Sequence, residues 1–384
     1  MAAYTIQQID LSNKKQVNAF LHLPATIYKN NPLWVPPLQS DSARMVNVDK
    51  NPYYKHSTAA FFLAFESNDQ PVARLACLNH HPYNAYNHEK TAFFYLFEAV
   101  NLPGISIPLF EAAFTWALQQ DLTRIVGPRG FSVLDGFGLL SEGFEYRPAL
   151  GIPYNPPYYI NLIEEAGFQA TEEIVSGFIK RESYRDPKIG VIAQRVQERR
   201  GLTIAMFRTR NDLRKRFPEL QSLYNDAIRG TSGNFPITVE EARTMANQIL
   251  WFSDPTLIKI VMKETRPVGF LFAYPDISAA LQRTKGRLFP FGWLDILIEL
   301  RNTRTINLNG AGMIEEYRGS GGTAILLNEI SKSLEHSRYT HGEVVQVNAS
   351  NERMLQELSN FGITFHKKHR AYSRAIDEKD RAVS

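Results

Sequence analysis

Residues 305–334 read TINLNGAGMIEEYRGSGGTAILLNEISKSL, and the reading of this stretch decides the fold. Its first part alternates apolar and small residues, the pattern of a strand. Its last part places Leu326, Leu327, Ile330 and Leu334 on one face of a helix spanning 323–334. Between them lie an arginine, a serine and three glycines, so the spacing predicts strand, glycine turn, helix. Backbone N–H groups at the start of such a helix, together with its dipole, suit an anion.

Three kinds of phosphate loop compete for the core RGSGGTA. A loop of the G-x-x-x-x-G-K-[ST] type needs a lysine after its last glycine, and none follows here. A dinucleotide fingerprint matches formally at Gly319, Gly321 and Ala324, but MIEEYR separates these glycines from the strand. The next strand, VVQVN, ends in Asn348 rather than an acidic residue, and only 60 residues remain after Ala324. The third reading fits: Arg318 adds charge, and the glycines let the backbone approach a pyrophosphate closely.

Working outward, the chain repeats its plan. QPVARLACL and RPVGFLFAY place Pro71 and Pro267 196 positions apart, each opening a strand-like run. Gly167 and Gly362, each closing a short amphipathic helix, stand 195 positions apart. One shared offset predicts a duplicated unit of near 190 residues. Strands and helices alternate in each half, which implies an α/β class with two lobes. The expected divisions are a first lobe over 1–186, a helical linker over 187–202 and a second lobe over 203–384.

With these features in view, the sequence resembles the GNAT family of acyl-CoA N-acyltransferases. The family's pyrophosphate loop, [QR]-x-x-G-x-[GA], maps onto Arg318, Gly319, Ser320, Gly321, Gly322 and Thr323, with Thr323 departing from the usual Gly or Ala. PVGFLFAY looks like the family's third strand and NERMLQELSNFGI like the helix after its fifth, with Asn351 at the family's asparagine. LQSLYNDAIRGTSGNFPITVEEARTMANQI resembles its paired first helices, so the resemblance spans roughly 200–376. NPLWVPPL and GFGLLSEGF extend it to uncharacterised bacterial proteins with two GNAT-like lobes.

The resemblance implies two tandem GNAT lobes, each a mixed sheet flanked by helices. It implies an N-acyltransferase using acetyl-CoA or another acyl-CoA as co-substrate. An oxyanion donor is expected from the backbone near Met313 and Ile314, and coenzyme A contacts from residues 318–323 and Asn351. The family's acid, a tyrosine seven residues after the asparagine, falls on Leu358. Tyr372 is the substitute candidate for the acid, and Glu315, beside Glu316, for the base. The first lobe offers only EAVNLPGISIP where the loop would be, so no coenzyme A is expected there.

The remaining features set bounds. The chain has 384 residues, 44% hydrophobic and 21% charged, with a net charge of +4. That mild balance gives little reason to expect nucleic acid, and RTRNDLRKR (208–216) reads as a solvated helix face. Cys77, the sole cysteine, sits in an apolar run and reads as a buried small hydrophobe. His80, His81 and His88 match no zinc spacing and suggest a surface hairpin; His366 and His369 point to opposite faces of a strand, so no metal is expected. No leader pattern or membrane-length apolar run appears, so a cytoplasmic location and no membrane partner are expected. GPRGFSVLDGFGLLSEGF is either a substrate-facing loop, with Ser132, Asp135 and Glu142 as contacts, or an ordered packing loop. The long segment 276–302 reads as a lid whose Leu294, Ile296, Leu297, Ile298 and Leu300 must bury against something. The acceptor is expected to be a small-molecule or peptide amine. The alternatives are a non-catalytic acyl-CoA-binding protein and a tRNA-dependent aminoacyl or peptidyl transferase.

Overall fold

The computed structural model describes residues 4–185, 187–230, 233–319 and 321–380. In chain order its strands are β1 (Thr5–Gln8), β2 (Thr58–Phe65), β3 (Pro71–Asn79), β4 (Thr91–Ala99), β5 (Arg124–Gly127), β6 (Leu139–Glu142) and β7 (Gln169–Lys180). They continue with β8 (Leu202–Ala205), β9 (Lys259–Lys263), β10 (Arg266–Pro275), β11 (Thr305–Met313), β12 (His341–Asn348) and β13 (Thr364–Ala375).

The same pairing occurs twice. β1, β2, β3 and β4 pair antiparallel in turn, and β5 lies parallel to β4. β8, β9, β10 and β11 pair antiparallel in turn, and β12 lies parallel to β11. The parallel step needs a crossover, which the helices Ser106–Gln119 and Gly322–Glu335 supply. Register shifts also recur, between Arg74 and Ala76 on β3 and between Leu271 and Ala273 on β10. The two landmark glycines do the same work in each half. Gly167 (φ 84°) follows the helix Tyr159–Glu165, and Gly362 (φ 96°) follows Glu352–Asn360.

The chain forms two compact units, and neither is a continuous stretch. Unit 1 comprises residues 1–174, 281–292 and 367–384; unit 2 comprises 175–280 and 293–366. In unit 1, residues Tyr372–Ala375 of β13 pair antiparallel with β5, and Tyr372 and Ile376 are buried in its core. That core is aromatic, with Phe110 stacked on Phe97, edge-on to Phe94 and tilted against Phe168. In unit 2, Ser176 on β7 accepts from the Gln346 amide of β12 at 3.1 Å, and β7 places Gly177 against Ile363 and Phe365. The expected stripe of Leu326, Leu327, Ile330 and Leu334 is buried in unit 2.

Two local expectations need correction. NHHPYNAYNHEK is a helix, His81–Asn87, rather than a hairpin, because the His80 ring caps the Tyr83 amide and Pro82 suits the first turn. The stretch expected as a helical linker contains the helix Pro187–Arg200, which packs along Gly322–Glu335 with Ala193 fully buried. Of Leu294, Ile296, Leu297, Ile298 and Leu300 in the lid, only Ile296 is completely buried.

Candidate functional site

The site in unit 2 begins where two parallel strands part. β11 pairs β12 only from Thr305–His341 to Leu308–Val344, although β11 runs on to Met313 and β12 to Asn348. Beyond Leu308, β11 is held from its other side: the Ile314 amide donates to Val268 at 3.0 Å. Ladder alternation then turns the Met313 amide away from β10, toward the edge that β12 has left. The Met313 and Ile314 side chains are buried, so only their backbone is available to a ligand.

Unit 1 treats the corresponding position differently. β4 and β11 have the same length, so Ala99 ends its strand where Met313 ends the other. The Ala99 amide is already satisfied by the Tyr159 hydroxyl at 2.9 Å, and its carbonyl by the Tyr158 hydroxyl at 2.8 Å. Beside it Glu98 accepts from the hydroxyls of Tyr28 and Tyr159, both at 2.8 Å, with Arg74 3.7 Å away. Burial pushes the Glu98 carboxyl up, and the nearby Arg74 charge opposes it. This knot of tyrosines and one buried ion pair closes the end of β4 with the protein's own side chains. The sequence held no pattern to announce it, because its members come from four separated stretches.

After β11 the chain makes a short 3-10 turn, Glu315–Tyr317, and then the glycine turn. Gly319 (φ 71°) and Gly321 (φ 87°) take left-handed conformations that side chains with a Cβ adopt at a cost. Gly321 is the N-cap of the helix Gly322–Glu335, with no side-chain cap and no acidic residue in the first turn. The amides of Gly322, Thr323 and Ala324 therefore lack intrahelical and side-chain partners by position. The glycines also have packing reasons. A Cβ on Gly321 would meet Val196 Cγ2 at 2.6 Å, and one on Gly322 would meet Met313 Cε at 2.5 Å. Ser320 lies outside the described residues.

Arg318 does not project toward this helix end. Its Nη2 donates to the carbonyls of Ala227 and Arg229, both at 2.7 Å, and its Nε to Met313 at 3.2 Å. It thereby ties the end of the helix Phe217–Ile228 to the end of β11. The guanidinium at the glycine turn is that of Arg353, whose Nη1 occupies the space a Cβ on Gly319 would need. Its Nε is paired with Glu357 at 3.1 Å. A sequence signal existed for it: a cation in the first turn of a helix opposes the dipole and needs another reason to be there. Asn351 caps that same helix, accepting from the Met354 amide at 3.2 Å, and Leu358 is buried in the unit 2 core.

The two expected catalytic side chains fall in different units. Glu315 is exposed on the 3-10 turn of unit 2. Tyr372 is fully buried in unit 1, opposite Gly127 of β5, and burial raises its phenol above the ordinary value. Ser132 and Asp135 form a capping box around the turn Val133–Asp135, and Glu142 pairs with Lys368 at 3.1 Å.

Two lobes that repeat one strand topology, one of them with parted parallel strands beside a glycine-capped helix, define a tandem GNAT fold, and comparison with solved structures shows it. A tandem GNAT protein from the clavulanic acid biosynthesis pathway superposes with TM-score 0.56 and 11% identity, over 97% of this chain and 98% of that one. A GCN5-related N-acetyltransferase from Sphaerobacter thermophilus gives TM-score 0.51 and 12% identity, over 97% and 95%. Among curated proteins, protein YghO of Escherichia coli is 26% identical over 375 residues, covering 95% of this chain and 94% of its own. The bacterial ceramide synthase of Caulobacter vibrioides is 25% identical over 386 residues, covering 96% and 97%. No family model matches the chain.

Proposed function

We propose that the protein is an acyl-CoA-dependent N-acyltransferase whose donor site lies in unit 2. The observation that carries the reading is the parting of β11 from β12 after Leu308, followed within the same connection by a helix N-terminus that no side chain caps. The amides of the first turn, with Arg353 beside Gly319, suit the coenzyme A pyrophosphate. Arg318 acts at one remove, holding the turn in place through three carbonyls. The Met313 amide suits the carbonyl oxygen of the thioester as charge builds on it.

In this reaction the amine nitrogen attacks the thioester carbonyl, the C–S bond breaks, and coenzyme A leaves as its thiol. The ammonium proton must go to a base, for which exposed Glu315 is the nearby carboxylate in sequence, and the thiolate must gain a proton. Tyr372, enclosed in the unit 1 core, is not assigned that second role. The 25% identity to a bacterial ceramide synthase over 96% of this chain favours a long-chain amino alcohol as acceptor and a long acyl group over acetyl. The buried Leu358 favours a second reading, binding without turnover, since it stands where the resemblance puts an acid.

Calorimetry with acetyl-CoA and palmitoyl-CoA, on wild type, Thr323→Asp and Arg353→Ala, tests the site. An aspartate in the first helical turn favours the helix but repels a pyrophosphate. Affinity is expected to fall at least tenfold in Thr323→Asp and about fivefold in Arg353→Ala, about 1–1.4 kcal/mol, with melting temperature unchanged or raised in the first. Unchanged affinity in both would overturn the assignment. Mass spectrometry of mixtures with sphinganine and with short amines then separates the readings: an amide product supports turnover, and binding without product supports the second.

A further inference from the structure

The helix Pro187–Arg200 of unit 2 runs antiparallel to Gly322–Glu335, and two contacts fix its register. A Cβ on Gly190 would come within 3.5 Å of Asn328 Oδ1, and Val196 fills the space a Cβ on Gly321 would need. Past Val196 the helix Gly322–Glu335 has ended, while its neighbour continues to Arg200. At 1.5 Å per residue, Arg199 and Arg200 stand about 5–6 Å beyond Gly321 along the axis, over the open helix end. At 100° per residue both point within about 60° of Val196, and so toward that end, whereas Glu198 points to the far side. Gln194 engages Glu198 there, at 2.9 Å.

Arg199 and Arg200 are exposed, and among the described residues neither has an ion-pair partner. A cation at a helix C-terminus is ordinarily explained by the helix dipole. Here that place is already taken, because Lys263 Nζ donates to the Arg200 carbonyl at 2.7 Å. Three positive charges therefore gather at one helix end, and an anion among them relieves their repulsion. We propose that Arg199 and Arg200, with Lys263 behind them, hold the 3′-phosphate of the coenzyme A donor. The proposal rests on the reading that the first turn of Gly322–Glu335 takes the pyrophosphate. The ribose of coenzyme A is bonded directly to that pyrophosphate, so its 3′-phosphate falls one sugar ring from the helix end. A phosphomonoester carries close to two negative charges at neutral pH, and guanidinium forks match its oxygens. Arg353, at Gly319, is left to the pyrophosphate itself. The two arginines thus set selectivity, favouring coenzyme A over donors that lack the third phosphate.

Calorimetry of the full chain with coenzyme A and with dephospho-coenzyme A, which differs only by the 3′-phosphate, tests it. The wild type is expected to bind coenzyme A about tenfold more tightly, with the preference shrinking as salt is raised. In R199Q/R200Q the two ligands are expected to bind alike. R199K/R200K, which keeps both charges without the planar forks, should retain part of the preference, and it carries the test if the glutamine variant folds poorly. Equal affinity of the wild type for the two ligands would overturn the assignment and leave the pyrophosphate site standing. A preference that survives whole in R199Q/R200Q would also overturn it, by placing the 3′-phosphate elsewhere. Binding of neither ligand would remove the coenzyme A reading, and this site with it.

Discussion

Arg318 shows how one side chain is read differently with and without its surroundings. Beside glycines at a helix start, a cation suggests a phosphate ligand; in the folded chain its planar fork is filled by carbonyls of Met313, Ala227 and Arg229. Those last two carbonyls belong to the end of the helix Phe217–Ile228, which would otherwise face water unpaired. Arg318→Ala is expected to cost about 1–2 kcal/mol of stability, read from denaturant unfolding, for loss of these charge-assisted bonds. Arg318→Lys should recover little of it, because an ammonium cannot match the fork. A variant as stable as wild type would refute the tethering role.

His369 carries a pH dependence. It is fully buried in unit 1, donating from Nε2 to the Pro153 carbonyl at 3.0 Å, and burial holds its imidazole down to about 4. Between an unfolded value near 6.5 and that folded value, the unfolded chain binds a proton that the native chain refuses. Stability therefore falls as the pH drops through this window, by about 2 kcal/mol between pH 7 and 5 for this one group. His80, held down to about 3 chiefly by burial, adds a slope of the same sign. In His369→Asn the acid-side loss of stability should be shallower than in wild type. Identical slopes would mean that the ring takes up its proton in the native state as it does in the unfolded chain.

At the scale of elements, the strand, turn and helix of 305–334 were legible because each is a local pattern. Alternation, glycine punctuation and a helical stripe all agree there, and the structure forms β11, the turn and the helix Gly322–Glu335. The Thr323→Asp variant is an argument about this element: the macrodipole that rewards an acid at the helix start also rewards a bound anion, so the two compete for one place. The helix Gly292–Asn302 was legible as a helix but not in its facing. Periodicity identifies an apolar arc without saying whether the chain's own core or something else covers it. His81–Asn87 was missed because its cap is a histidine, outside the usual capping set.

For the whole molecule, the two units are built from discontinuous stretches, and this has a direct consequence. β5 is paired by Tyr372–Ala375, from the far end of the chain, and Tyr372 and Ile376 are 0% and 5% exposed in the unit 1 core. A fragment of residues 1–186 is therefore expected to lack a cooperative thermal transition by circular dichroism. Fusing residues 364–384 to it through a flexible linker should restore one. A cooperative transition in the bare fragment would show that unit 1 is independent of the returning strand.

The sequence alone determined the alternation of strands and helices, the shared offset near 195 positions, the glycine turn and the resemblance to GNAT proteins. All of these are set by short-range sterics and periodicity, which neighbouring residues specify among themselves. Only the tertiary structure decided that Arg353 and not Arg318 lies at the turn, that tyrosines seal the end of β4 while β11 stays open, and that β13 returns to unit 1. Each of these depends on which distant groups come within hydrogen-bonding reach, a few ångströms that local pattern cannot encode.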